Sequence, residues 1–200
     1  MITIVALGNP GDDYVSTRHN VGWIVLSRLI AEGKFPSLTK SSAYNARVGE
    51  GVVCGNDVSV LFPLTFMNHS GVSVLKYIGT HGQSKDVIVV HDDIDLPCGD
   101  VRVSVNRGAG GHNGVQSIID SLGTKDFSRV RIGIGKKNIF GVLKRPRGEA
   151  LSKFVLGTFS SHEIKQMDEV SKKVFDALTC IIKDGIEKAM QKVLPEGKRG

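Results

Sequence analysis

Three of the six histidines stand beside an asparagine: Arg18-His19-Asn20, Asn68-His69 and Gly111-His112-Asn113-Gly114. Imidazole titrates at roughly 6.5 and can exchange a proton near neutrality, while a carboxamide carries donors and an acceptor on one planar group. The pairing points to a site where imidazole handles a proton and neutral amides grip a polar, largely uncharged substrate. That combination favours hydrolysis over simple ligand storage.

Such residues need a scaffold, and the chain alternates strand and helix signals. Ile2–Leu7 and Val87–Val90 are short apolar runs that read as buried strands. Val21–Ala31, Val72–Ile78 and Val115–Leu122 read as helices, and Val101–Val105 and Val130–Ile134 alternate at period two, which predicts strands half exposed or near an edge. Ser160-x-x-Glu163 is a capping box before a long helix that carries Ile164, Met167, Val174, Leu178, Ile181 and Ile186 at helical spacing. Pro195 and Gly197 end it, and residues 195–200 form a fraying tail. The expected fold is α/β: a single domain over residues 1–200, with a twisted mixed β-sheet flanked by helices and a long C-terminal helix. Gly8-Asn9-Pro10-Gly11, His91-Asp92-Asp93 and the glycine loop 108–114 follow strands, so they would converge on one edge of the sheet.

Composition narrows the function classes. At 200 residues and 40% apolar, the chain can bury one core. Cys54, Cys98 and Cys180 lie far apart with no Cys-x-x-Cys pair, which argues against a disulfide framework or a zinc knuckle and for a reducing compartment. Met1-Ile2-Thr3-Ile4 opens without a basic leader, and Gly8 interrupts the apolar run before it could span a bilayer. A mature cytosolic protein with no membrane role is expected. Residues 125–153 hold nine basic side chains against Asp126 and Glu149, a net of +7 that leaves −1 for the rest of a +6 chain. A concentrated basic stretch is the footprint of a surface that meets phosphates. Phe140 is the one aromatic in residues 128–150, so backbone contact rather than base stacking is the expected mode.

Six motifs then carry a resemblance. Leu7-Gly8-Asn9-Pro10-Gly11, Tyr14-x-x-Thr17-Arg18-His19-Asn20-Val21-Gly22, Phe66-Met67-Asn68-x-Ser70-Gly71, His91-Asp92-Asp93-Ile94-Asp95-Leu96-Pro97, Gly110-Gly111-His112-Asn113-Gly114 and Arg131-Ile132-Gly133-Ile134-Gly135 together resemble bacterial-type peptidyl-tRNA hydrolase, in that family's order. The resemblance implies a monomer that hydrolyses the ester joining a peptide to the 3′ ribose of tRNA, recycling tRNA from stalled translation. It implies tRNA as partner and no cofactor.

The residues fit that chemistry. No Gly-x-Ser-x-Gly elbow is present and no cysteine lies in a catalytic motif, so water is the expected nucleophile. His19 is the expected general base, and Asp92 would fix its tautomer and favour the imidazolium. Asn68 and Asn113 would hold the 3′-terminal part of the substrate and the water, with Asn68 the better oxyanion donor. By resemblance, Asn9 distinguishes a blocked from a free α-amino group, and Tyr14 and Phe66 offer flat surfaces to the terminal nucleotide or peptide. Asn20, Met67 and His112 stand as supporting residues. Arg131 is the expected phosphate contact, with Arg102, Arg107, Lys136 and Lys137 as further choices. Ser104 stands where family members carry a basic residue. Asp93 and Asp95 read as caps of the turn before Pro97.

Two rival classes remain. A metal-dependent hydrolase would draw on His91, Asp92, Asp93 and His112, but no His-x-x-x-His or comparable ligand pair is present, so no metal is expected. A dinucleotide-binding domain would use the glycine loops, but Gly108-x-Gly110-x-x lands on Asn113 where that fingerprint needs Gly or Ala.

Overall fold

A computed structural model describes residues 1–138 and 140–192, so the expected helix end and tail at 195–200 lie outside the described residues. Strand β1 (Ile2–Ala6) alternates its side chains between the two faces of the sheet. Ile4 and Ala6 enter one buried cluster, and Val5 and Leu7 enter the other. That two-sided burial is why the run is continuously apolar. Helix α1 (Val21–Ala31) follows, then β2 (Thr39–Ser41), β3 (Ala46–Val53), β4 (Asn56–Pro63) and α2 (Ser70–His81). Strands β5 (Val87–Pro97) and β6 (Val101–Val105), helix α3 (Asn113–Leu122) and β7 (Ser128–Gly135) complete the sheet. Four helices follow among the described residues: α4 (Glu149–Val155), α5 (Ser161–Lys165), α6 (Met167–Asp184) and α7 (Ile186–Lys192).

The seven strands lie in the order β2-β3-β4-β1-β5-β7-β6. β1 runs parallel to β4 and β5, β5 runs parallel to β7, and the outer pairs are antiparallel. The sheet is mixed, as expected, with helices on both faces. α1, α6 and α7 cover the face that holds Ile4, Val60, Val90 and Ile132. On the other face, α2 and α3 cover Val5, Leu7, Leu61 and Val89. Two glycines set close approaches that any Cβ would block. At Gly22 a Cβ would lie 2.6 Å from the Val90 carbonyl oxygen, and at Gly71 it would lie 2.0 Å from that of Ser117, so α1 rides on β5 and α2 touches α3.

Three expectations change, and one unassigned stretch takes form. β7 lies next to the edge, as one alternative has it, but it is buried and not half exposed, because β6 takes the edge and leaves β7 between two neighbours. The C-terminal helix is three pieces. The capping box starts α5 alone, and Gly185, at φ 87°, breaks α6 from α7. Asp93 caps a bend as expected, its Oδ1 accepting from Asp95 N–H at 2.8 Å, but that bend is a register shift inside β5, which runs on to Pro97, and Asp95 pairs with Arg145 instead. β3 and β4, which periodicity leaves unassigned, form a hairpin whose Cys54-Gly55 turn has φ of 53° and 79°, the positive pair of a tight two-residue connection.

Candidate active site

His19 sits in the short 3₁₀ turn Arg18–Asn20 that leads directly into α1, and all three residues are buried. Each is held by a different part of the fold. The Asn20 side chain brackets Asn9: its Oδ1 accepts from Asn9 N–H at 2.8 Å and its Nδ2 donates to the Asn9 carbonyl at 2.9 Å. Arg18 pairs with Glu163 at 2.9 Å, and its guanidinium lies 4.8 Å from the centre of the Phe154 ring. Arg18 N–H also donates to the Gly157 carbonyl at 3.0 Å, so the turn is tied to α4 and α5. Glu163 still closes its capping box with Ser160, so one carboxylate caps a helix and neutralises Arg18. Burial pushes the Glu163 carboxyl up, but its bonds from Ser160 and Arg18 outweigh that and hold it below its usual value.

Asp92 is the hub. Its Oδ1 accepts from His19 Nδ1–H at 2.9 Å and from His112 Nε2–H at 2.8 Å. The proton positions follow from bonding. His112 Nδ1 caps α3 by accepting the backbone N–H of Gly114 and Val115 at 3.1 and 3.2 Å, so the ring's one proton is on Nε2. With Asp92 ionised, His19 donates from Nδ1 and keeps a lone pair on Nε2. Burial opposes both charges, yet the two imidazoles hold the Asp92 carboxyl well below the carboxylate range. Burial likewise works to lower the His19 pKa, and the charge and hydrogen bond of Asp92 overcome it and raise it. His91 is the opposite case. Fully buried beside His112, it is pushed well below the ordinary imidazole value and stays neutral, donating from Nδ1 to the Asp92 carbonyl at 2.7 Å.

His19 faces a cleft of two lobes that share His19, Asn113, Ser152 and Val155. One lobe, about 260 Å³, is lined by His91, Asp93, Ile94, Gly111, Arg145 and Leu151. The other, about 300 Å³, is lined by Asn9, Tyr14, Phe66, Met67, Asn68 and Leu156. The first five polar and aromatic positions read from sequence, Asn9, Tyr14, Phe66, Asn68 and Asn113, therefore meet in one place with His19. Asn9 is oriented there by its neighbour. Its Oδ1 accepts from Met67 N–H at 2.8 Å, and a backbone N–H can only donate, so the Asn9 NH₂ is the group left for a ligand. Tyr14 and Phe66 meet edge to face at 6.4 Å, and Phe66 is 57% exposed.

The basic residues divide. Arg131 is bonded to Asp93 at 2.7 Å, and Arg102 holds Asp100 at 3.4 Å. Lys136 lies 4.0 Å from Glu163 while Lys137 is exposed, as is Arg107. Ser104 is buried in register with Arg129, whereas Arg131 faces Arg102 across the same strand pair.

Other contributors carry little local signal. Arg129 is buried and donates to the carbonyls of Gly108 and Arg107, holding the glycine loop from below. Arg145 donates to the Gly110 carbonyl at 2.7 Å and pairs with Asp95, holding the same loop from the side. α4 supplies Leu151, Ser152 and Val155 to the cleft, and only the short apolar pattern of residues 150–155 hints at it.

His19, Asp92 and His112 bring one potential ligand atom each within 4.8 Å of one another. A metal there would need a lone pair on His112 Nε2, the nitrogen that carries the proton while Nδ1 caps α3. The donor set fits a hydrogen-bonded triad better than a metal centre. No helix among the described residues is long and apolar enough to cross a membrane.

The sequence profile described as peptidyl-tRNA hydrolase matches residues 3–199. A peptidyl-tRNA hydrolase of Syntrophotalea carbinolica is 44% identical over 192 residues, covering 95% of each chain. One of Thermodesulfovibrio yellowstonii is 38% identical, covering 95% of this chain and 97% of its own. A crystal structure of peptidyl-tRNA hydrolase with N-propanol superposes with a TM-score of 0.86 at 31% identity, covering 96% of this chain and 94% of its own. That of the Acinetobacter baumannii enzyme gives 0.84 at 31% identity over the same shares. A buried His–Asp pair opening on an amide-lined cleft thus lies on a fold and sequence shared end to end, and the chain belongs to the peptidyl-tRNA hydrolase family, hydrolases of the peptidyl-tRNA ester bond.

Proposed function

We propose that this chain frees tRNA from peptides left by stalled translation, using water activated by His19 and no covalent intermediate. The observation that carries the reading is the 2.9 Å bond from His19 Nδ1–H to ionised Asp92, which leaves the Nε2 lone pair as the base at the junction of the two lobes. Nε2 takes a proton from water as the oxygen attacks the ester carbonyl carbon. The tetrahedral intermediate then expels the 3′ oxygen of the ribose, which receives that proton from the imidazolium. Asn68 and Asn113, both exposed in the second lobe, supply donors for the oxyanion, water and 3′ end.

Asn9 reads the amino terminus of the aminoacyl group. Its free NH₂ donates to a peptide carbonyl and has nothing to offer an ammonium, so a blocked substrate is gripped and a free one is not. Tyr14 and Phe66 offer faces to the terminal nucleotide or peptide, Met67 and Asn20 hold Asn9, and His112 holds Asp92. Arg107, Lys136 and Lys137 stand exposed on the side that meets acceptor phosphates, with Arg131 and Arg102 behind them held by Asp93 and Asp100. The chain works as a cytosolic monomer over one domain, without cofactor. Release of an N-blocked aminoacyl group from tRNA tests the reading, with chelator and without. Wild type should be active in both, and His19→Ala should lose at least a hundredfold. Near-wild-type release by His19→Ala would refute it.

A further inference from the structure

The segment between β7 and α4 has a shape of its own. Lys137 bridges Leu143 in antiparallel fashion, and Asn138 N–H donates to the Val142 carbonyl at 2.8 Å. Lys144 N–H donates to the Lys136 carbonyl at 3.1 Å, which closes the base of a small hairpin. At its tip the Asn138 side-chain Oδ1 accepts from Phe140 N–H at 3.0 Å and Val142 N–H at 2.9 Å, and Gly141 turns at φ 77°. The turn is therefore set before any ligand arrives. Phe140 stands on it 81% exposed, the barest large apolar side chain among the described residues, with Val142 beside it at 60%.

The chain on either side of that ring is basic. Residues 136–148 contain Lys136, Lys137, Lys144, Arg145 and Arg147 and no acid. Lys137, Lys144 and Arg147 are exposed, and none of them meets a carboxylate among the described residues. The hairpin is also anchored beside the reaction: Arg145, just past its base, lines the His91 lobe and holds Asp95 and the Gly110 carbonyl. A bare ring on a set turn, with exposed basic residues before and after it in the chain, matches an unpaired nucleotide, which offers a π-face and a phosphate together. A closed duplex would offer phosphates and leave the ring bare.

We propose that the hairpin that joins Lys136–Asn138 to Gly141–Lys144 is a stacking platform for an unpaired nucleotide of the tRNA acceptor end, with the Phe140 ring on the base and Lys137, Lys144 and Arg147 on the flanking phosphates. This adds base stacking to the phosphate contact expected from charge alone, and it rests on the hydrolase reading above. A second aromatic contact outside the cleft would hold the 3′ end while its terminus reaches His19.

Binding of deacylated tRNA, intact or trimmed of its unpaired 3′ nucleotides, tests it. Wild type should prefer the intact form. F140A should bind intact tRNA roughly five- to a hundredfold more weakly, the range of one base–aromatic stack, and so fall toward the trimmed form. F140W should restore the preference and F140L should not. The F140W ring, with Trp23 the chain's only native tryptophan, should change emission with intact but not trimmed tRNA. Full preference in F140A, or restoration by F140L as complete as by F140W, would overturn the platform. So would an F140W response to anionic phospholipid vesicles in place of RNA. Wild-type release of blocked aminoacyl groups, run in parallel, separates this test from that of the hydrolase reading.

Discussion

His112 has neither a lone pair nor a proton to spare, since Nδ1 caps α3 and Nε2–H holds Asp92. It is a positioning residue, and His19 is left as the group that titrates in the reaction. The base must be neutral to take a proton, and its pKa is raised by Asp92, so activity should fall as pH drops through a value above 6.5. Asp92→Asn should move that acid limb down, because the amide no longer favours imidazolium, and should cut kcat roughly 10²- to 10⁴-fold. A pH profile of kcat/KM on both proteins checks it, and an unmoved limb would remove Asp92 as the partner. Asn9 gives a second test. Asn9→Asp replaces the outward NH₂ with an acceptor, so the ratio of kcat/KM for N-blocked over free aminoacyl-tRNA should fall about tenfold or more. Asn9, His19 and His112 are legible in the sequence because each lies in a short turn with its own signature, and Asp92 because it directly follows the apolar run Val87–Val90 within β5. Their supports are not: Arg18 meets Glu163 across 145 positions and Arg145 meets Asp95 across 50, and no local pattern encodes which loops touch.

Among the elements, α5 is fixed to the His19 turn by one buried ion pair, and α4 by the Phe154 ring under the same guanidinium. The Arg18 and Glu163 side chains are 7% and 8% exposed, so removing one charge leaves the other stranded in the interior. Glu163→Gln should therefore lower stability by about 3 kcal/mol, more than loss of a surface pair. The pH sign follows from the depressed Glu163 pKa. Its stabilisation is present above the unfolded value of about 4.5 and is lost as pH falls through the folded one. Denaturant melts of wild type between pH 6 and 3 should show that loss, and Glu163→Gln should show less of it. The capping box is readable as Ser160-x-x-Glu163, but it reads as a helix start, because its second use as Arg18's partner depends on where α5 lands. α1 and β6 occupy their expected ranges, since their periodicity is strong. β3 escapes because it is half exposed without clean alternation, β4 because its buried run is short and broken by Ser59, and α4 because seven residues leave too few periods to register.

At the scale of the molecule, charge is segregated: residues 125–153 carry +7 of a chain that is otherwise nearly neutral. The fold changes which of these charges are open to phosphate. Arg131 is bonded to Asp93, Arg145 to Asp95, and Arg129 is buried under the glycine loop, where burial and the neighbouring Arg131 and Arg107 charges lower its pKa to about 10. These three organise the cleft, so neutralising them would disturb geometry as well as charge. Lys137 and Lys144 are exposed on the hairpin with no carboxylate partner among the described residues, and they report electrostatics more cleanly. Each phosphate contact releases condensed counterions, so log Kd for tRNA should rise with log salt, and the double change Lys137→Ala with Lys144→Ala should flatten that slope by roughly one to two units. kcat at saturating substrate should change far less than KM, since neither side chain lines the cleft. An unchanged slope would mean that the hairpin's charge keeps the protein in solution and does not meet the tRNA backbone.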